Sequence, residues 1–318
     1  MLHQVFFVIL SMNATNCIKQ MPREYFFTNV EEKIMDRPQL KTRLYFCMWS
    51  DLLGFGNQFF QNNWQLSETD KFQIYLRLNN AHSIVLQQTS PSERVFILND
   101  GIAKVTEIKL SPTDLTPLLN VSLFFRGIIL THINIIQSEN KTNLPGCRTV
   151  VSFGEGIEYI TREIKYDDFL FNYCRKNPHE LGKSSKINGN PTILYNPVEL
   201  QMNTAFSKSY ILESGGSKAG LSGANLFIDS SVLNVMDKLC EMHKYEKVIS
   251  ESADTICILY KHPDDVNRVC LGFELSKPIK PTGIPWQTEV FKILRFYPHD
   301  EDINEFWFDL VNIGANFK

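Results

Sequence analysis

Two carboxylates and a glycine turn are the residues of this chain best suited to do chemistry. Asp51 closes an apolar run, "RLYFCMWSD", and Asp100 sits 49 residues later in "LNDGIAK". Oxygen donors of this kind suit hard divalent cations such as Mg2+ or Mn2+. Between Asp51 and the next element lies Leu52-Leu53-Gly54-Phe55-Gly56. Its glycines permit a tight turn and let the N–H groups of Gly54, Phe55 and Gly56 face an anion such as phosphate. Each part has a plainer meaning alone. Asn99-Asp100-Gly101 is an ordinary turn signal, and Asp51 could simply cap a turn. The combination is more specific: an acid, a glycine turn and a second acid make a platform for a metal-bound triphosphate. Arg126, in "FFRGIIL", is a candidate phosphate-binding or structural arginine.

These residues need elements to hold them. Residues 42–50 are apolar on both faces and predict a buried strand ending at Asp51. Phe46 and Trp49 are assigned to its core contacts. A helix is predicted from the N-cap Ser67, with acids in its first turn, to about Gln88. Its residues Phe72, Tyr75, Leu76, Leu78 and Val85 recur at roughly helical spacing. "RVFILNDGIAKVTEIKL" predicts a β-hairpin turning at Asn99-Asp100-Gly101. A short helix over 111–119 and a strand over 122–136 follow. The order β-α-β-β-α-β predicts an α+β fold, a ferredoxin-like split βαβ antiparallel sheet with helices on one face. Such a sheet sets Asp51 beside the turn that carries Asp100.

Residues 137–195 are polar and read as an insertion, with a strand over 148–153 and a helix over 165–175. A helix over 197–213 is expected to begin at Pro197, followed by the glycine loop "SGGSKAGLSG", the strand "ANLFID" and a helix over 230–244. The domain expected is 41–245, with 246–318 as its C-terminal elaboration. Residues 1–40 are a leader or extension, in which Met12, Met21 or Met35 could be the true start.

Composition narrows the function classes. Of 318 residues 43% are hydrophobic and 21% charged, with a net charge of −3, as expected of a soluble globular protein without an affinity for nucleic acid. Seven cysteines without C-x-x-C spacing argue against a disulfide framework or structural zinc, and reduced thiols predict a cytoplasmic location. The apolar run Val5–Leu10 is too short to span a bilayer, so no membrane segment is expected. His132 is assigned as a satisfied polar residue.

"SDLLGFG" followed by "LNDGIAK" resembles the paired metal-binding motifs of class III nucleotide cyclases, in spacing and in element order. "FFRGIIL" resembles a later strand of that fold. "NPVELQMNTAFSKSYILESGGSKAG" with "ANLFID" resembles the helix that completes the site and the strand after it. The likeness spans about 42–235 and is greatest to the pyrimidine cyclases of Pycsar antiphage defence.

That resemblance implies two Mn2+ or Mg2+ ions per site, held by Asp51, Asp100 and the Leu52 carbonyl, with the Gly54–Gly56 amides on the phosphates. It implies CTP as the favoured substrate and cyclic CMP as product, with uridylate, adenylate or guanylate cyclase and a non-catalytic NTP-binding module as alternatives. It also implies a homodimer and a separate effector protein for the product. The family's completing helix carries an Asn and, four residues on, an Arg. Asn203 matches the Asn; Ser207 stands at the second position, with Lys208 next to it. An alternative alignment uses Arg162 but puts Glu158 in place of the Asn, where it would repel phosphate. Asn203 and Lys208 are therefore the expected catalytic pair.

Overall fold

The computed structural model describes residues 39–160 apart from 115, the segments 185–187 and 190–192, and residues 199–313 apart from 201, 263–264, 298–306 and 312. Contacts divide the chain into two units, residues 42–158 with 193–318, and residues 1–41 with 159–192. In the second unit the described residues include a small antiparallel pair, β5 (Ser185–Ile187) with β6 (Asn190–Thr192). The helix expected over 165–175, Arg162 and Pro197 lie outside the described residues.

The first unit is built on one sheet. Its first strands are β1 (Gln39–Leu52), β2 (Glu93–Leu98), β3 (Gly101–Ile108) and β4 (Cys147–Ile160). Two helices lie between β1 and β2, α1 (Asn57–Gln61) and α2 (Glu68–Gln87); α3 (Thr116–Asn140) joins β3 to β4. Strand order β2-β3-β1-β4 is that of the split βαβ sheet, as the pattern of the sequence predicts. It continues through β7 (Leu226–Asp229), β11 (Val290–Tyr297), β10 (Asp265–Ser276), β9 (Thr255–His262) and β8 (Glu246–Glu251). The short β12 (Phe308–Asp309) pairs with β11. β7 is parallel to β4, and the other registered pairs are antiparallel. The C-terminal segment thus extends the same sheet. Helices α4 (Thr204–Gly215) and α5 (Ser230–Met242) flank β7 in sequence.

The sequence misplaces one element. Residues 122–136 are the middle of helix α3, and the strand that follows β3 in sequence is β4, which contains the strand expected over 148–153. The helical period was present: Val121, Phe124, Phe125, Ile128, Ile129, His132, Ile135 and Ile136 are all buried, spaced by three and four. The β-branched and aromatic content of the segment mimics a strand, but 25 residues of sustained period belong to a helix. By length and composition Leu119–Asn140 could cross a membrane, yet 61% of its most apolar window is buried inside the protein. Phe124 and Phe125 pack on Phe46 of β1, and Phe125 also meets Phe273 and Phe296 of the distal strands. Each such ring contributes ~1.5–3 kcal/mol by leaving water.

Alternation along β1 sends Phe46, Met48 and Leu52 into this main core and Cys47 and Trp49 to the opposite face. That face is not bare. Ala205, Phe206 and Tyr210 of α4 cover it, with both rings edge-on to Trp49. Helices therefore lie on both faces, where the sequence pattern suggests one. Helix α4 starts at Thr204 rather than Pro197, because Asn203 caps it. Helix α2 begins as expected, with Ser67 and Asp70 forming a reciprocal capping box. Its buried stripe, however, is Ile74, Arg77, Ala81 and Val85, while Phe72, Tyr75 and Leu76 are exposed.

Candidate active site

The hairpin register brings the two acids together. Asp51, next to last in β1, lies opposite Gly101, and the Leu52 N–H donates to the Asp100 carbonyl at 3.4 Å. Asn99 makes the turn with a left-handed backbone, φ +63°. Gly101 has to be glycine, since a Cβ there would stand 2.5 Å from the Trp49 ring.

After Asp51 the chain reverses through the glycine turn. Gly54 has φ +69°, a conformation that favours glycine. The Phe55 N–H is spent on the Leu52 carbonyl (3.2 Å), and the Phe55 ring is buried. The N–H groups of Gly54 and Gly56 carry no backbone hydrogen bond among the described residues; Gly54 is exposed and Gly56 half-buried. The Leu52 carbonyl keeps its second lone pair.

Three charged residues that sequence reasoning missed surround the acids. Arg148, at the head of β4, forks onto Glu213 of α4 (3.0 and 2.7 Å) and donates to the Leu221 carbonyl (3.3 Å). Glu213 and Arg148 both act electrostatically on Asp51, as does Arg77 of α2. Glu213 had a legible signal. A carboxylate near a helix C-terminus opposes the dipole and calls for a cation nearby. Arg77 had none, because the apolar residues of α2 suggest a different stripe from the buried one that holds it. Arg148 is marked only by standing at the start of an apolar strand.

Burial pushes the Asp51 carboxyl up to about 8, and the negative charges of Glu213 and Asp100 add to the rise; Arg148 and Arg77 oppose it. Asp100 and Glu213 are also raised, again chiefly by burial. The Trp49 indole N–H lies close enough to favour ionised Glu213 but makes no hydrogen bond of ordinary geometry. The site thus holds acids short of positive charge. Asp51, Asp100 and the Leu52 carbonyl are hard oxygen donors, and a divalent cation would supply what they lack. Among the described residues no group of three or more His, Cys, Asp or Glu side chains forms a metal cage. A hard cation held by two carboxylates and a carbonyl would take its remaining ligands from water or a bound anion.

A pH dependence follows. An acid with a folded-state pKa above its unfolded value ionises first in the unfolded chain. Its contribution to stability is full below about pH 4 and is lost as pH rises towards 8. Melting of the metal-free protein across this window should show a downward slope that Asp51→Asn makes shallower. Parallel curves for the two proteins would show that Asp51 ionises normally.

The other expected residues lie elsewhere. Asn203 is buried, its Oδ1 accepting the Phe206 N–H (3.0 Å) and its Nδ2 donating to the Glu199 carbonyl (2.8 Å). Lys208 donates to the Phe153 carbonyl (3.0 Å) and faces Asp229. Helix α4 runs from Gly156, bridged to Asn203, back to Arg148, bonded to Glu213. Asn203 is therefore ~15 Å along the helix from the Glu213 end. Within one chain Asn203 and Lys208 act as a cap and a tether, and the chain does not bring them to Asp51 and Asp100. Arg126 sits in mid-α3, not on a strand, and is not among the charges acting on either aspartate.

Beside Asp51, a buried polar chain zips β1 to β4. Ser50 and Thr149 share a hydrogen bond (2.9 Å), His132 Nδ1 meets Thr149 (3.0 Å), and the Cys147 thiol lies 3.4 Å from the same nitrogen. His132 is thus a satisfied polar residue, as the sequence suggests, and burial, reinforced by Lys292, holds it down at about 3. Burial pushes the Cys147 thiol up to about 12.

No family model and no curated protein sequence matches this chain. Solved structures do. The adenylyl cyclase CyaB from P. aeruginosa is 9% identical, covering 84% of this chain and 100% of that one, with a TM-score of 0.39. A bacterial light-regulated adenylyl cyclase is 13% identical over 91% of this chain and 63% of its own, with a TM-score of 0.37. The guanylyl cyclase domain of the RhoGC fusion protein from the aquatic fungus Blastocladiella emersonii is 9% identical over 82% and 99%, with a TM-score of 0.35. At TM-scores below 0.5 these likenesses add nothing to what the strand order itself shows.

Proposed function

We propose that the chain is a nucleotide cyclase of the class III type that converts CTP to 3′,5′-cyclic CMP and diphosphate. The observation that carries this is the β1–β3 register, which sets Asp51 and Asp100 side by side next to a turn whose Gly54 and Gly56 amides carry no backbone hydrogen bond among the described residues. Cyclisation forms a bond from the ribose 3′ oxygen to the α-phosphorus and breaks the bond to diphosphate. Asp51, Asp100 and the Leu52 carbonyl would hold two Mn2+ or Mg2+ ions. Bound there, such ions supply charge neutralisation and acidify the 3′-hydroxyl. The Gly54 and Gly56 amides would donate to the β- and γ-phosphates. Arg148 keeps donor capacity beyond Glu213 and Leu221 and adds positive charge on the same side. Such fixed donors act by positioning and by stabilising developing charge.

Asn203 and Lys208 would reach such a site only from a second copy, in a two-fold homodimer with two equivalent sites. Lys208 would first give up its bond to Phe153, a cost of ~1 kcal/mol. The choice of CTP rests on the motif resemblance, as does the role we propose for the product, a signal to a separate effector in antiviral defence within the cytoplasm. A site built for the 4-amino group of cytosine rejects the uracil carbonyl by leaving polar groups unpaired; UTP is the alternative. The commitment of Asn203 and Lys208 within their own chain favours a second reading, a module that binds NTP without turning it over.

Purified protein incubated with Mn2+ and each of CTP, UTP, ATP and GTP, with products identified by mass, decides among these. Cyclic CMP formed at least about tenfold faster than the other products is expected. Binding of nucleotide without any cyclic product would establish the non-catalytic module.

A further inference from the structure

We propose that Arg77 is a positioning residue that sets the glycine turn at the angle at which the Asp51 carboxylate and the Gly54 and Gly56 amides face one ligand. This rests on the metal–triphosphate reading of the site and deepens it. The Arg77 guanidinium is buried, and one nitrogen donates to the Leu53 carbonyl at 2.9 Å. Leu53 is the residue between the acid-bearing strand end and Gly54. The same guanidinium forks onto both oxygens of Glu139, near the end of α3 (2.6 and 2.9 Å), which fixes its plane. Its central carbon lies 5.7 Å from the centroid of the Phe55 ring, close enough for a cation–π contact.

Leu53 is also held from the other side, its N–H donating to the Gly146 carbonyl at 2.9 Å. The turn is therefore pinned at the Leu53 N–H by the start of β4, at the Leu53 carbonyl by Arg77, and at the Phe55 ring by burial and the same guanidinium. Among the described residues the Gly54 and Gly56 N–H groups of this pinned turn carry no backbone hydrogen bond. A buried ion pair of this quality is poor evidence for stability in itself. A hydrophobic pair would join α2 to α3 as well, but could not hold a backbone carbonyl. Lysine could not replace arginine, since a point charge does not span Glu139, Leu53 and the Phe55 face at once.

The test is Mn2+ binding to the full chain, followed by electron paramagnetic resonance without nucleotide, alongside KM and kcat for CTP with Mn2+. Arg77→Lys is expected to weaken Mn2+ binding and raise KM at least tenfold each, with kcat changing less, while the far-UV spectrum stays native. Glu139→Gln keeps the guanidinium but loosens its seat, and should give a smaller loss of the same kind. It keeps the test open if Arg77→Lys does not fold. Unchanged Mn2+ binding and KM in a folded variant, with a wild type that binds and turns over, would overturn the role of Arg77 alone. A wild type that neither binds Mn2+ nor makes a cyclic product overturns this role together with the cyclase reading.

Discussion

Asp51→Asn should abolish cyclase turnover, lowering kcat/KM by about 10³-fold, or ~4 kcal/mol of transition-state stabilisation. The substitution keeps shape and removes charge. Asparagine supplies one neutral oxygen where the aspartate offers an anionic pair, so the site would lose affinity for hard cations and its counter-charge for phosphate-bound metal. The fold should not suffer. Asp51 is raised to about 8 by burial and by Glu213 and Asp100, so the folded protein already disfavours its charge when no cation is present. The melting temperature in EDTA should be unchanged or higher, with activity gone. That split between stability and turnover is the signature of a functional carboxylate. Wild-type turnover in Asp51→Asn would show that the acid is a turn residue and that the site has been placed wrongly.

The second large effect concerns stability. Lys104 of β3 is fully buried beneath α3, opposite Met48 in the register. Its ammonium pairs with Glu93 at 2.8 Å and donates to the Gln88 carbonyl at 2.5 Å. The cluster is packed closely, since a Cβ on Gly127 of α3 would fall 2.9 Å from the Lys104 nitrogen. Lys104→Met should cost ~3–5 kcal/mol by leaving the Glu93 carboxylate buried and uncompensated. That is a large share of the ~5–15 kcal/mol typical of a folded domain. Urea denaturation would measure it. Lys104→Met with Glu93→Leu should recover much of the loss, because no charge is then stranded. A double variant as unstable as the single one would mean that packing, not the stranded charge, sets the cost.

Some of the site was legible without coordinates. Asp51 follows a short apolar run that reads as a buried strand, and Asn99-Asp100-Gly101 turns a hairpin whose two-residue loop fixes the register. A split βαβ pattern then forces Asp51 and the turn to meet. Ser67 and Asp70 announce the start of α2 within four residues. The strand expected over 122–136 fails for a different reason. Its residues suit either structure, and period had to outweigh content. Asn203 shows the limit of a motif match. It matches the motif in sequence, but within the chain its side chain is spent on Phe206 and Glu199.

Local sequence by itself determined the acid at a strand end, the glycine turn, the hairpin and the helix cap, because each is encoded within a few neighbouring residues. The βαββαβ order followed from stringing these together. Only the tertiary structure decided which charges surround Asp51. Arg77 meets Glu139 across 62 residues and Arg148 meets Glu213 across 65, and no local pattern names the partner of either arginine. It also decided that the acids are raised, since burial is a property of the packed chain. And it decided that Asn203 lies at the opposite end of α4 from Glu213, with Lys208 in mid-helix, because the direction of a helix over a sheet depends on what lies beneath it, here Trp49 against Phe206 and Tyr210.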